Sequence, residues 1–163
     1  PTTAYALRAA DYDGARHIVW FGGNAIRTGL HQTDETQAEH VETAYARAIE
    51  VFGRNTIIRG YVPAYGDKDG TAVANEVNAW LGRVVPTQFL NVRQKLQNAA
   101  SVILGRRLTS QDEADIAAGW LPREMYRDDR VHLTDATHQW LSGLFAQYPA
   151  GATPRLAVGN SAA

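Results

Sequence analysis

The sequence contains no cysteine and no long apolar run, and its charges nearly cancel. Without cysteine the chain forms no disulfide, has no thiolate nucleophile and offers no thiolate ligand to a metal ion. No apolar stretch approaches the roughly 20 residues of a membrane-spanning helix, so we predict no membrane partner. The net charge of −1 provides no basic surface for nucleic acid, and we predict no nucleic-acid partner either.

At 163 residues the chain is long enough for one domain with a substantial hydrophobic core. We predict this domain over residues 1–150, followed by a linker and tail over residues 151–163. The first residues, Pro1 to Ala4, lack the basic and apolar regions of a secretory signal peptide. Pro1 fits either removal of an initiator methionine or an excised fragment. The sequence makes no prediction of the cellular location.

Short apolar segments alternate with amphipathic helical segments along the chain. The first apolar segment, residues 17–21, has the composition of a strand buried on both faces. Two further strands are predicted at residues 56–62 and 87–92. Helices are predicted at residues 33–52, 72–81, 110–119 and 135–148, with Thr33 or Asp34 capping the first and Ser110 the third. This alternation predicts an α/β fold with a mostly parallel sheet and helices on both faces.

Two polar elements of the sequence are suited to catalysis. Asp129 lies three residues before His132, just ahead of the last predicted helix. An aspartate in that position can orient the imidazole and stabilise its positive charge, which leaves the other ring nitrogen free to move a proton. Gly22, Gly23 and Asn24 follow the first predicted strand, and their backbone N–H groups and side-chain amide are candidate donors to an oxyanion. Ligands bind beyond the carboxyl ends of parallel strands, where both elements are predicted.

Simpler interpretations exist for the same residues. Asp129 and His132 are typical of a loop that precedes a helix, and Asn24 is common in turns. The acidic and histidine residues within 128–138 lack a familiar metal-ligand spacing, so no metal ion is predicted. The glycines within 22–29 have neither a phosphate-loop ending nor a dinucleotide-binding spacing. We therefore expect the site to act without a metal ion or a cofactor.

The two polar elements also resemble sequence blocks of a known family. Gly22, Gly23 and Asn24 after an apolar strand look like the third block of the SGNH, or GDSL-type, hydrolases, which reads Gly-x-Asn-Asp. Asp129 and His132 look like their fifth block, Asp-x-x-His. The resemblance implies a three-layer α/β/α fold of flavodoxin-like type and a serine esterase, often acting on an acylated sugar. It implies that His132 is the base, Asp129 its orienting acid, and residues 22–24 the oxyanion donors.

The chain departs from this family at the block that carries the nucleophile. A Gly-Asp-Ser block should precede Gly22, yet the residues before the first predicted strand contain no serine. The glycine of the second block has no clear counterpart. Ala25 replaces the last aspartate of the third block, and Thr134 replaces the asparagine that usually follows the fifth. We therefore expect a truncated or circularly permuted version of the fold.

Ser161 is the serine whose context is closest to a Gly-Asp-Ser block, because it follows Gly159 and Asn160. Of the other three serines, Ser110 fits a helix cap and two lie in helical segments. A circular permutation would place residues 155–159 in the position of the missing first strand and bring Ser161 to the catalytic pair.

Two other interpretations remain for the nucleophile. An upstream segment or a partner chain could supply the serine. If no serine is supplied, the expected function is a non-catalytic carbohydrate-binding or structural module in a larger assembly, such as a virion or a cell surface.

Overall fold

The computed structural model describes residues 17–20, 36–52 and 56–148 of the chain. These residues form a mixed α/β structure, as predicted. The strands are β1 (His17–Val19), β2 (Thr56–Arg59) and β3 (Phe89–Leu90). The α-helices are α1 (Gln37–Phe52), α2 (Lys68–Val84), α3 (Val92–Asn98), α4 (Ala100–Leu104), α5 (Ser110–Ala117) and α6 (Asp135–Ala146), and a 3₁₀ helix spans Arg123–Met125. No helix within the described ranges is long and apolar enough to cross a membrane.

The three strands form a parallel sheet in the order β1–β2–β3. Ile58 of β2 lies opposite Val19 of β1 and Phe89 of β3. Beyond β2 the ladder continues by one bond, since the Gly60 N–H donates to the Leu90 carbonyl at 2.9 Å. The predicted parallel sheet is therefore confirmed for the described strands, with β2 at its centre.

Side chains of β2 alternate between two hydrophobic clusters, and all four residues of this strand are buried. Ile58 belongs to the first cluster, which is built largely from α1 and α2. Ile57 belongs to the second cluster, to which α3, α4, α6 and the 3₁₀ helix contribute. Successive residues of a strand point to opposite faces, so the sheet lies between the two clusters.

The apolar sequence of β1 predicts burial on both faces, and this prediction is wrong. Val19 is buried in the first cluster, but Ile18 and Trp20 are 48% and 51% exposed. Within the described residues, β1 is an edge strand with β2 as its single neighbour. An apolar composition indicates that a strand can be buried, but it does not reveal which elements cover each face.

The first helix begins where a pair of reciprocal hydrogen bonds satisfies its free N–H groups. The Thr36 N–H donates to Glu39 Oε2 at 2.8 Å, and the Glu39 N–H donates to Thr36 Oγ1 at 3.2 Å. Such an exchange is the capping-box arrangement of helix N-termini. The capping residue is thus Thr36, and the predicted caps Thr33 and Asp34 lie outside the described residues.

The predicted cap of α5 is wrong by one residue. Thr109 caps this helix, because its hydroxyl accepts a hydrogen bond from the Asp112 N–H while the Asp112 carboxylate accepts one from the Thr109 N–H. Ser110 is instead the first residue of the helix. Gly119, with a left-handed φ of 89°, follows the end of α5 as predicted. Adjacent hydroxyl residues make such a one-residue error easy, since either can act as a cap.

The position directly after β2 requires glycine because other groups lie close to it, and this requirement gives a test of the packing. A Cβ on Gly60 would lie 2.8 Å from Asn78 Oδ1 and 2.9 Å from a Phe89 ring carbon. We expect Gly60→Ala to destabilise the fold by about 1–3 kcal/mol, because backbone and core must shift to accommodate it. Gly143→Ala in α6 is the control, since nothing lies within 4 Å of the added Cβ. It should raise stability by about 0.5–1 kcal/mol through helix propensity.

Urea denaturation monitored by circular dichroism measures both effects. Similar midpoints for Gly60→Ala and the wild type would contradict the close approach of Asn78 and Phe89 to Gly60.

Candidate active site

Residues 127–132 form a loop, called here the Asp–His loop, whose two ends are tied together. Tyr126 and Leu133, which flank it, form an isolated antiparallel bridge. Inside this bridge the Arg127 N–H donates to the His132 carbonyl at 2.7 Å, and outside it the Thr134 N–H donates to the Met125 carbonyl at 3.0 Å. The loop therefore begins and ends in a short hairpin-like closure, which fixes its position ahead of α6.

The Asp–His loop is attached to the segment that leaves the carboxyl end of β2. The Tyr65 N–H donates to the Arg130 carbonyl at 2.8 Å. The buried Tyr126 hydroxyl donates to the Pro63 carbonyl at 3.0 Å. These two bonds hold the loop on the side of the sheet where parallel strands end, which is the expected position of a ligand site.

Asp129 uses its two carboxylate oxygens for different tasks. Oδ1 accepts hydrogen bonds from the backbone N–H groups of Val131 at 2.8 Å and His132 at 2.9 Å. Oδ2 lies 2.6 Å from Nδ1 of His132. Arg130, which follows Asp129, has a left-handed φ of 61° that turns the chain back towards the aspartate. One oxygen thus shapes the loop, which leaves the other free to orient the imidazole, as the spacing predicts.

The electrostatics of this pair suit a base with an orienting acid. The hydrogen bond from His132 holds the pKa of the Asp129 carboxyl well below its usual range, and the N–H groups of Val131 and His132 lower it further. With the carboxylate charged, the proton of a neutral imidazole belongs on Nδ1, and Nε2 is the nitrogen that can accept another. The His132 side chain is 71% exposed, so a ligand can reach its ring.

Arg59 is a feature of this region that the sequence interpretation missed. It is the last residue of β2 and only 1% exposed, and none of its three guanidinium nitrogens has a hydrogen-bond partner in the described structure. The Trp20 ring covers its face, with 3.1 Å between Cζ and the ring centroid. Burial lowers its pKa to about 9, so it remains charged at neutral pH. The sequence signal was an arginine that ends an apolar strand.

Charges of both Arg59 and the Asp–His loop act on His138 of α6. Burial lowers the pKa of this histidine, and the positive charges of Arg59 and Arg127 lower it further. His132 has a smaller effect of the same sign. The guanidinium at the end of β2 and the imidazole of the loop therefore both lie within electrostatic reach of one side chain on α6.

The structure brings together two of the predicted site residues, Asp129 and His132. The predicted oxyanion donors and the predicted nucleophile lie outside the described residues, namely Gly22, Gly23, Asn24 and Ser161. Three serines are described, and none of them forms a hydrogen bond with His132. The nearest in sequence, Ser142, donates from Oγ to the His138 carbonyl at 3.0 Å, one turn earlier in α6.

Comparisons with known proteins give no family assignment. No protein-family model matches the chain, no curated protein matches it, and no solved structure matches it.

The pairing of Asp129 with His132 predicts a change in the loop in acid. Because the folded-state pKa of Asp129 is lowered, its stabilising contribution is complete above the ordinary carboxyl pKa of about 4 and is lost as the pH falls below that value. We expect the amide resonances of Val131 and His132 to shift over this acid range in nuclear magnetic resonance spectra.

Asp129→Asn should remove this shift, whereas Asp128→Asn, which changes the adjacent exposed carboxylate, should leave it intact. An unchanged acid transition in Asp129→Asn would show that another group is responsible.

Proposed function

We propose that this chain is an SGNH-type serine esterase that hydrolyses an acyl ester, with an acylated carbohydrate as the substrate. The observation that carries the proposal is the 2.6 Å contact between Asp129 Oδ2 and His132 Nδ1. This pair has the spacing of the family's fifth block and precedes a helix, as that block does. It is bonded to the segment that follows the central strand, where a reacting ester would bind.

The strand order also supports the proposal. In a flavodoxin-like sheet the strands follow the order 2-1-3-4-5, so the last three are consecutive neighbours. We assign β1, β2 and β3 to those three strands, because they are parallel and consecutive neighbours. The first strand of the family would then pair with the outer edge of β1, where Ile18 and Trp20 are half-exposed. We therefore infer a three-layer, flavodoxin-like domain that is truncated or permuted at its first strand.

The proposed reaction follows the roles of a serine esterase. His132 Nε2 accepts the proton of a serine hydroxyl while the serine oxygen attacks the ester carbonyl. Asp129 stabilises the imidazolium that forms. The N–H groups of Gly22 and Gly23 and the amide of Asn24 donate to the oxyanion. The alcohol leaves with the proton from His132. Water then attacks the acyl-serine, again through His132, and releases the acid and the free serine.

The proposed nucleophile is Ser161, delivered to the edge of β1 by residues 155–159. A serine from an upstream segment or a partner chain is the second source that we consider. In either case the serine must reach His132 from outside the described residues, since no described serine is bonded to its ring. The ring is exposed enough to receive it.

A non-catalytic carbohydrate-binding or structural module of a larger assembly is the alternative function. The lack of a described serine bonded to the His132 ring favours this alternative, because a base without a nucleophile does not hydrolyse an ester. This alternative keeps the fold and the ligand site but assigns no reaction to Asp129 and His132.

Labelling with a fluorophosphonate tests the esterase proposal. We expect the reagent to modify Ser161, as located by mass spectrometry, and an acetylated saccharide to be deacetylated. Ser161→Ala should abolish both signals. His132→Ala should reduce hydrolysis by about 10²–10⁴-fold, because general-base catalysis contributes a factor of this size. Circular dichroism checks that each variant is folded.

Asp129→Asn and Asp128→Asn form the matched pair for the orienting role. Hydrolysis should fall in the first and stay near wild type in the second, because Asp128 makes no side-chain hydrogen bond within the described residues. Absence of both labelling and hydrolysis in the folded wild-type chain would remove the esterase proposal for this chain alone and favour the non-catalytic module.

A further inference from the structure

A buried guanidinium without partners is unfavourable, and Arg59 is such a group. Its five N–H donors lie in the plane of the guanidinium, whereas Trp20 covers the face and accepts none of them. No described aspartate or glutamate forms an ion pair with it: the ion pairs of arginine in the described residues belong to Arg106 and Arg127. The group is charged at neutral pH, and no anion among the described residues compensates its burial.

The location of Arg59 favours a ligand as that anion. Arg59 ends the central strand, on the side of the sheet where ligands of parallel sheets bind. It affects His138 electrostatically, as does His132 of the Asp–His loop. Because the segment that follows Arg59 is bonded to the Asp–His loop, an anion that pairs with Arg59 would lie at the same end of the sheet as the proposed base.

The shape of the group fits an oxyanion such as a carboxylate or a phosphate. The planar fork of a guanidinium matches a carboxylate through two parallel hydrogen bonds, an arrangement that both orients and holds the ligand. Because Arg59 is buried, a ligand can reach its guanidinium only if a covering group moves. The Trp20 ring lies over the guanidinium and is half-exposed, so we expect this ring to be displaced.

We propose that Arg59 is an anion-binding residue that recognises a carboxylate of the ligand, which is an acidic saccharide. That the ligand is a saccharide, and that it is the esterified substrate, rests on the proposed esterase function, whereas anion binding by Arg59 does not. The ligand class is thus a sugar bearing a carboxylate, with the acyl ester elsewhere on the same molecule.

Binding of simple probes to the whole chain tests the inference. Glucuronate, glucose and inorganic phosphate serve as acidic sugar, neutral sugar and free anion, with binding followed by calorimetry and by Trp20 fluorescence against a Trp20→Phe control. We expect glucuronate to bind and glucose to bind at least about tenfold more weakly, since one charge-assisted hydrogen bond accounts for a factor of this size. Phosphate should bind more weakly than glucuronate.

Variants of two arginines separate the role of Arg59 from a general loss of charge. Arg59→Met should abolish glucuronate binding, and Arg59→Lys should weaken it because a lysine lacks the fork. Arg93→Met is the control, since Arg93 is partly buried and leaves Nη1 without a partner, whereas its Nη2 donates to Asn75 Oδ1 at 2.6 Å. In the absence of ligand, Arg59→Met should raise Tm by about 2 °C or more, because an uncompensated buried charge is removed.

Three outcomes would overturn the proposal. Binding of phosphate as tight as that of glucuronate would indicate a site for a free anion instead of an acidic sugar. A lowered Tm in Arg59→Met, with no probe bound by the wild type, would show that a carboxylate of the chain itself pairs with Arg59. Glucuronate binding that survives in Arg59→Met would place the site elsewhere.

The two proposals fail in different ways. If glucuronate binding requires Arg59 but no ester is hydrolysed, the anion site stands and the esterase does not. If esters of neutral sugars are hydrolysed equally by the wild type and Arg59→Met, the esterase stands and the acidic substrate does not.

Discussion

The structure depends on the burial of β2 between two hydrophobic clusters. A strand whose four residues are all buried must be covered on both faces, and Ile57 and Ile58 supply one anchor to each cluster. Where the strand ends, the backbone needs other partners: Asn78 accepts from the Tyr61 N–H at 2.7 Å and donates to the Tyr61 carbonyl at 3.0 Å. This side-chain pairing replaces a strand neighbour and fixes the direction in which the chain leaves the sheet.

That exit determines where the polar chemistry lies. The segment after β2 is bonded to the Asp–His loop, so the exposed pair Asp129 and His132 stands beside the end of a buried strand. Arg59 lies at the same end of β2, but in contrast to the exposed pair its charged side chain is buried. Local violations of packing rules of this kind tend to occur at functional sites. In the two proposals, the exposed imidazole moves protons and the buried guanidinium fixes an anion, which makes them complementary parts of one proposed ligand site.

The sequence predicted the elements that depend on local patterns. The pattern of apolar residues located β2, α2 and α6. The spacing of Asp129 and His132 predicted their contact, because over three residues one carboxylate can bond both the backbone N–H groups of the loop and the imidazole ring. It could not predict the half-exposure of Ile18, which depends on elements distant in sequence. Nor could it predict that the guanidinium of Arg59 is buried without a hydrogen-bond partner in the described structure. An arginine at the end of a strand is usually exposed or paired with a carboxylate, and the local sequence does not reveal whether such a partner is present.

The half-exposed side chains of β1 and the side chain of Arg59, which has no partner among the described residues, lie on one face of the sheet. Ile18 and Trp20 alternate with Val19, and they share the parity of Ile57 and Arg59 through the register of β1 with β2. A first strand of flavodoxin-like type would pair with the backbone of β1 and bring a serine at its carboxyl end close to Trp20. It would add backbone hydrogen bonds along that edge, yet it would not by itself give the guanidinium of Arg59 an anion. The two proposals therefore concern different places: one would add a nucleophile at the free edge of β1, and the other a ligand charge at Arg59.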